Sequence, residues 1–454
     1  FIAGLLWALA GRLRKSPAWG YGICLILGAA LGLVLTGSTQ AKWDAIQTAY
    51  DGRSVLLEAE VERTSSSYSP GRVRAVLRVE TVNREAASLR VECASLPTCS
   101  PGDRVKGRFA LEMPDDTARL NALADGIALN AAYEKGFALL GQSTSFRART
   151  ARLQKRLSAA LRQGMASGPA GVLAAMVTGD RSGITPELRA AYSRSGLSHL
   201  LAVSGLHTGI VFALVNLLLW WLPLLRRGHL LRNLLAAACI WIYVAAAGFP
   251  PSAVRAAVMF TMLQSALASA SEYNGLNALA AAAFGMLLWN PAWLGDISFQ
   301  LSFAAVAAIL AWGVPLCRRL RTRRRALNPI TDALAVSLAA TLATTPLVSH
   351  TFGIVPLAGV VVNPAAILLG SVVVLAGALW MLLPVGWAAP AFECVLSHTA
   401  EGLNALARVT ADLPCTAAEY ALGGGATAAV YLFFTLATVA AWSAEPKKSV
   451  HLPA

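Results

Sequence analysis

Gly196-Leu-Ser-His-Leu-Leu-Ala-Val-Ser-Gly-Leu-His-Thr-Gly209 runs straight into Ile210-Val-Phe-Ala-Leu-Val-Asn-Leu-Leu-Leu219, so histidines, serines and glycines stand at the mouth of a long apolar run. Lipid penalises each of those polar groups, and a plain anchor has no need of them. Polar side chains at membrane depth face a bundle interior or a water-filled path, so this stretch marks where something hydrophilic crosses. The surrounding chain is of the same kind. Its 454 residues are 56% hydrophobic and only 14% charged, which reads as a polytopic helical membrane protein and excludes an ordinary soluble globule.

The net charge of +14 is concentrated in Gly11-Arg-Leu-Arg-Lys15, Arg226-Arg227, Arg318-Arg-Leu-Arg-Thr-Arg-Arg-Arg325 and Lys447-Lys448. Basic clusters beside apolar spans mark cytoplasmic loops; binding of a polyanion is the competing reading. Phe1 to Ala10 is half a span, since about 20 residues cross a bilayer, so a truncated start is expected. With Gly20 to Gly37 as the second span, residues 1–39 read as a transmembrane hairpin, and residues 40–145 fall outside the cytoplasm.

That outer region alternates with strand period in Val55 to Val61, Arg72 to Val79, Ser88 to Glu92 and Gly102 to Leu111, with Ser, Pro and Gly between. Short strands in this number suggest a small barrel of OB-like type, a class that often holds single-stranded nucleic acid. Arg72, Arg74 and Arg78 share one strand face, with Tyr68 just before it. They read either as DNA contacts or as a solvated face. Cys93 and Cys99 lie in the same region, where an oxidising setting makes a disulfide plausible; Cys24, Cys239, Cys317, Cys394 and Cys415 read as packing residues.

Residues 146–199 read as interfacial. Phe146 to Arg162 is a basic amphipathic helix suited to a membrane surface. Gly171 to Asp180 and Thr185 to Ser195 are too short to span, and lie in the interface or re-enter between helices. Residues 200–443 hold the spans: Leu200 to Leu225, Leu234 to Gly248, Ser252 to Ala270, Ala278 to Trp289, Ile297 to Leu316, Ala333 to Ser349, Ile354 to Leu383, a weaker Cys394 to Leu413, and Ala428 to Trp442. Counted from an external barrel, both arginine clusters end inside, and 444–454 is a cytoplasmic tail.

Leu200, Ser204 and His207 have the spacing of one helical face, and Gly205 and Gly209 permit close helix contact. The segment is therefore a pore lining, a small-residue seam, or a serine–histidine pair; no acidic residue follows in the span to orient His207. Pro250-Pro251 starts a helix that carries Arg255 one turn in, where it snorkels to headgroups or faces a polyanion path. Asp296 caps a helix that takes Gln300 and Ser302 into apolar sequence. Pro346 is expected to kink its helix, with His350 just beyond, and Asn363-Pro364 to interrupt the next run; paired breaks of this kind point to a transport site. Gly179 precedes Asp180, which caps the following helix or pairs with Arg181. No phosphate-binding loop and no His-Glu-x-x-His signature occurs among the six histidines, so neither a nucleotide nor a metal cofactor is expected.

His199-Leu-Leu-Ala-Val-Ser-Gly-Leu-His207, with Gly179-Asp180, Arg255-Ala256, Asn290-Pro291, Phe299-Gln-Leu-Ser-Phe303 and Asn363-Pro364 in order, resembles the ComEC competence proteins over about Gln40 to Trp442. The resemblance implies an inner-membrane channel that passes single-stranded DNA during natural transformation. It also implies a DNA receptor outside and an ATP-driven translocase inside. Many family members add a metallo-β-lactamase-like nuclease domain. None is recognisable here, so no enzyme activity is expected. The stretch Pro114 to Asn121 also lacks the aromatic-containing segment expected at the end of the barrel. Alternatives from other classes are an intramembrane enzyme or small-solute transporter using Ser204 and His207, and a non-conducting scaffold.

Overall fold

The computed structural model describes Val34 and residues 37–444 apart from 67–70, 116–121, 123–124, 164, 225–227, 269–273, 323–326, 383–388 and 414–415. Most of the N-terminal hairpin, Tyr68, both arginine and lysine pairs at 226–227 and 447–448, and all but the first residue of the tail lie outside the described residues. Two compact units result. One comprises Phe1–Arg156 with Ala280–Gln300, the other Leu157–Leu279 with Leu301–Ala454.

In the first unit, β1 (Ser54–Ser66), β2 (Arg72–Val82), β3 (Glu85–Pro97), β4 (Asp103–Glu112) and β5 (Leu129–Gln142) close a barrel in the order β1-β2-β3-β5-β4. The β3–β5 pairing is parallel and the others antiparallel, as an OB-like barrel requires. Strand alternation fills it: Leu57, Val91 and Phe109 are buried while their chain neighbours are at least partly exposed, and Val61, Leu77 and Leu129 add to the same core. Asn83 and Arg84, both at positive φ, make the tight β2–β3 turn, and the Asn83 side chain accepts from the Leu56 amide at 3.0 Å.

The second unit is helical. Its sequence of elements begins with the end of α1 (Phe146–Arg162), then α2 (Ser167–Thr178), α3 (Pro186–Arg194), a 3-10 turn at Ser198–Leu201, α4 (Gly205–Leu218), α5 (Gly228–Ala246) and α6 (Pro251–Ala268). α7 (Gly275–Trp289), which belongs to the first unit from Ala280 on, is followed by α8 (Ile297–Ala308), which returns to the second unit at Leu301, a π segment at Ile309–Gly313, α9 (Val314–Leu320) and α10 (Asn328–Phe352). Then follow β6 (Ile354–Pro356), α11 (Gly359–Leu382), α12 (Ala389–Asp412), β7 (Ala417–Glu419) and α13 (Gly424–Ala444).

Among the described residues, five helical stretches are long and apolar enough to cross a membrane: Gly205–Leu224, Gly228–Ala246, Ile297–Leu320, Asn328–Phe352 and Gly359–Met381. This is a multi-pass membrane protein. Large apolar side chains such as Leu217, Leu234 and Ile242 are exposed, as lipid-facing positions must be, with Trp220 and Trp221 exposed at the end of the first span. Three expectations change. The first span begins at Gly205, not Leu200, because Ser198–Leu201 turns separately. The run from Ile354 opens as a strand and becomes helical only at Gly359. Pro364 does not interrupt its run, which is helical through it, and Pro346 lies within the continuous α10.

The reason at Pro364 is a substitute donor. Proline has no N–H for the carbonyl four residues back, and that carbonyl, on Val360, instead accepts from the Ser337 hydroxyl of α10 at 3.3 Å. At Pro346, the Tyr431 hydroxyl of α13 donates to the Ala343 carbonyl at 2.6 Å, beside the one proline frees. The short α2 is buried along its length from Pro169 to Thr178. It therefore lies inside the protein, and an added Cβ at Gly377 of α11 would meet the Val177 side chain at 2.6 Å.

Candidate functional site

The polar stretch folds around a helix start. Ser204 is the N-cap of α4, and its hydroxyl accepts from the His207 amide at 3.4 Å while the Ser204 amide donates to His207 Nδ1 at 3.2 Å. This reciprocal box replaces the expected single helical face, because residues before Gly205 are not in the helix. The geometry also separates serine and histidine chemically. His207 takes the backbone N–H rather than the hydroxyl, so the pair is not set as nucleophile and base. A backbone donor at Nδ1 leaves the neutral ring's proton on Nε2, and Nε2, on a fully buried side chain, has no hydrogen-bond partner.

Arg255 joins this group from α6. Pro251 is the first residue of that helix, as expected, and Ser252 donates to the Val203 carbonyl at 2.5 Å, clamping the α6 start to the loop before Ser204. An added Cβ on Gly205 would lie 3.8 Å from Ala256 Cβ, so Arg255 sits at the level of the α4 cap. Its guanidinium lies 5.7 Å from the Phe303 ring centre and the residue is 3% exposed, which is burial rather than snorkelling. A third helix start comes close: an added Cβ on Gly359 of α11 would lie 3.7 Å from Asn363 Nδ2 and 4.0 Å from Gly196. His199, exposed on the 3-10 turn, makes its ring contact with the Gly196 carbonyl at 3.2 Å. The positive ends of α4, α6 and α11 thus gather about residues 196–204.

Other expected residues stand apart from that group. His350 Nδ1 donates to the Leu422 carbonyl at 2.8 Å, and Ser349 contacts the Tyr420 carbonyl, strapping residues 420–422 to the end of α10 beside the β6–β7 pair. Ser302 is half-buried on α8. Gln300, in the first unit, is held locally: its side chain donates to the Leu294 carbonyl at 2.7 Å instead of reaching another helix. Asp296 accepts from the Ser298 amide at 3.0 Å, as a cap does.

Asp180 neither caps α3 nor pairs with Arg181. Thr185 provides the cap, and Asp180 accepts from Arg162 at 2.8 Å, Ser158 at 2.5 Å and the Ser182 amide at 3.0 Å. Burial pushes its carboxyl up, but those donors outweigh burial and hold it below the ordinary aspartate range. Arg181 turns instead to the Leu201 carbonyl at 3.0 Å, and Gly179, at φ 78°, ends α2 in the left-handed conformation.

On the barrel the three arginines part company. Arg72 and Arg74 line a groove of about 320 Å³ with Ser95, Asn130 and Tyr133, Arg74 also pairing with Glu92 at 2.6 Å. Arg78 instead joins Arg90 and Arg147 around the single carboxylate of Glu62, at 3.0–3.1 Å. Tyr133 was not legible as a site residue, since only barrel closure sets β5 beside β3. The basic helix α1 spends much of its charge on protein, through Arg147 to Glu62, Arg152 to the Ser143 carbonyl, Lys155 to Ser100 and Arg162 to Asp180. Cys93 and Cys99 are free, buried thiols rather than a disulfide. Burial, then Asp103 and Cys93, push the Cys99 thiol up to about 11. An amide pair on the α4–α6 seam, buried Gln264 donating to half-buried Asn216 at 3.0 Å, also escaped sequence reading; two polar residues far apart in sequence give no pattern.

The family model described as Competence protein matches residues 176–446. ComE operon protein 3 of Bacillus subtilis (strain 168) is 31% identical over 140 residues, which is 31% of this chain and 18% of that protein. No solved structure matches. The match with this relative spans less than a fifth of its length.

Proposed function

The chain belongs to the competence protein family, of the ComEC kind, and from that premise we propose that it conducts single-stranded DNA across the cytoplasmic membrane during natural transformation. The observation that carries the reading is the polar group of half-buried Ser204 and buried His207 and Arg255 at the gathered starts of α4, α6 and α11. A DNA strand carries one negative charge per nucleotide, and apolar helices accept such a strand only where donors and cations replace its water. His199 on the 3-10 turn and Asn363 near the start of α11 border the same passage. Charge bias puts the Arg318-Arg319 end of the third apolar span in the cytoplasm, which sets the start of α4 on the outer side. There Arg72, Arg74 and Tyr133 receive the strand in the barrel groove, with Arg78 in the neighbouring basic cluster. A receptor delivers the strand outside, and an ATP-driven translocase draws it in.

Reconstitution with labelled DNA tests this. Vesicles carrying the protein protect single-stranded DNA from added nuclease, and Arg255→Ala lowers protection by about tenfold or more, the effect of losing one charged hydrogen bond. Folded wild-type protein that protects no strand under any imposed gradient refutes the channel. Wild-type protection by Arg255→Ala removes that residue from the path.

A further inference from the structure

We propose that α12 crosses the membrane and that its open face, carrying His398, Glu401 and Arg408, is one wall of a water-filled path. The proposal rests on the channel reading only for what moves along that path. Composition does not mark α12 as a span: Glu393, Glu401, Arg408 and Asp412 interrupt it, and it is not among the five long apolar stretches. Its neighbours place it. The amides of Leu357 and Ala358, just before α11, donate to the carbonyl of Thr416, shortly after α12, at 2.9 and 3.1 Å. Further along, an added Cβ on Gly402 would lie 4.0 Å from Leu369 Cδ1. From the first contact to the second the chain advances 12 residues on one side (357 to 369) and 14 on the other (416 to 402), about 18 and 21 Å at helical rise. The two helices therefore run antiparallel, side by side, and Leu396, Ala400, Leu403 and Ala407 share one core with Ala366, Val373 and Val374. Because α11 is long and apolar enough to cross, α12 crosses with it. Leu369 stands near the middle of the Gly359–Met381 span, which puts Glu401 near mid-membrane.

The rotation of α12 is fixed as well. Asn404, 5% exposed, accepts from the buried Tyr192 hydroxyl at 3.1 Å, and an added Cβ on Gly168 of α2 would lie 3.8 Å from its amide nitrogen. The other side is open. Cys394, His398, Glu401, Ala405 and Arg408 are exposed at spacings of four, three, four and three residues, which is one helical face. Hydrocarbon excludes ionised side chains at this depth, so they meet a bundle interior, one another or water. A second copy is a poor occupant. A two-fold axis along the membrane normal pairs parallel helices, setting Glu401 against Glu401 and Arg408 against Arg408, and like charges repel. Water is the occupant that solvates an acid, an imidazole and a guanidinium on one face.

The test uses the whole chain in liposomes with a membrane-impermeant, positively charged methanethiosulfonate, which reacts with thiolates and so needs water at the sulfur. Each site is read by mass spectrometry of its own peptide, so the other cysteines stay in place. Native Cys394 samples the face without any substitution. Glu401→Cys and Ala405→Cys sample it at mid-membrane, and Leu368→Cys, on α11 at the same depth and 68% exposed, is the lipid-facing control. The expected result is modification of both α12 variants about tenfold faster than Leu368→Cys, with Cys394 also modified. Added oligothymidylate then slows the reaction at Ala405→Cys.

A rate at Ala405→Cys no faster than at Leu368→Cys overturns the wet wall, even where DNA still crosses. Oxidative cross-linking of Ala405→Cys between copies, with no modification by the reagent, gives the face to a second copy and overturns it too. Modification that oligothymidylate leaves unchanged upholds the wall and counts against the channel reading instead.

Discussion

Replacing Asp180 by asparagine isolates one buried charge and its hydrogen bonds. The carboxylate accepts from the Ser158 hydroxyl, the Arg162 guanidinium and the Ser182 amide, with its side chain 22% exposed and that of Arg162 30% exposed. Asparagine keeps one acceptor oxygen but presents an amide to at least one donor, and Arg162, whose Nε already lacks a partner, loses its counter-charge. Loss of one hydrogen bond to a charged group is worth about 1.5–3 kcal/mol, and partial exposure puts the expected loss near the lower end, about 2 kcal/mol. The pH dependence gives the sharper test. A carboxyl held below its ordinary range contributes stability that is complete above the ordinary aspartate value of about 4 and is lost as pH falls through the lowered native one. Asp180→Asn has no such group, so its melting temperature lies below wild type at neutral pH and the two curves converge in acid. Thermal unfolding in detergent, followed with a thiol-reactive dye that reads buried cysteines, measures both. A gap that stays constant down to about pH 2, or no gap at pH 7, refutes the assignment of Asp180 as an ionised acceptor.

Ser337→Ala orphans the Val360 carbonyl and is expected to cost about 1–3 kcal/mol, whereas Ser337→Ala in a Pro364→Ala background costs far less because the helix then supplies its own N–H; additive effects in a double-mutant cycle exclude the substitute-donor account. In the barrel groove, Tyr133→Leu should weaken single-strand binding by about 1–3 kcal/mol with an unchanged salt slope, while Arg72→Ala should lower the slope by about 0.7. Filter binding across a salt series separates the two, and equal slopes in both variants rule out a phosphate contact at Arg72.

The barrel was legible because strand period is a local property. Val55, Leu57, Ala59 and Val61 alternate inward as their spacing says, and a sheet face that must be buried admits one register. The apolar helices were legible for the same kind of reason. Span limits were less so: hydropathy does not distinguish the extended Ile354–Pro356 or the 3-10 turn at Ser198–Leu201 from the helices they join, since all are apolar. Pro364 misled because a missing N–H predicts a break only when nothing else satisfies the carbonyl. Ser337, 27 residues before Pro364, does so, and only helix packing brings it there.

The candidate site divides in the same way. That His199 to His207 is unusual for a membrane run, that Arg255 follows a proline start, and that Asp180 needs a partner all follow from residue type and neighbourhood. Which partner each group takes depends on segments distant in sequence meeting in space: Ser252 on Val203, Arg162 rather than Arg181 on Asp180, Glu62 rather than DNA facing Arg78. Sequence by itself determined the class of solvent each stretch tolerates, because hydrophobicity and period act over a few residues. Tertiary structure alone decided which partner each buried polar group meets, because a hydrogen bond fails within an ångström of misplacement and no local pattern encodes an approach that close.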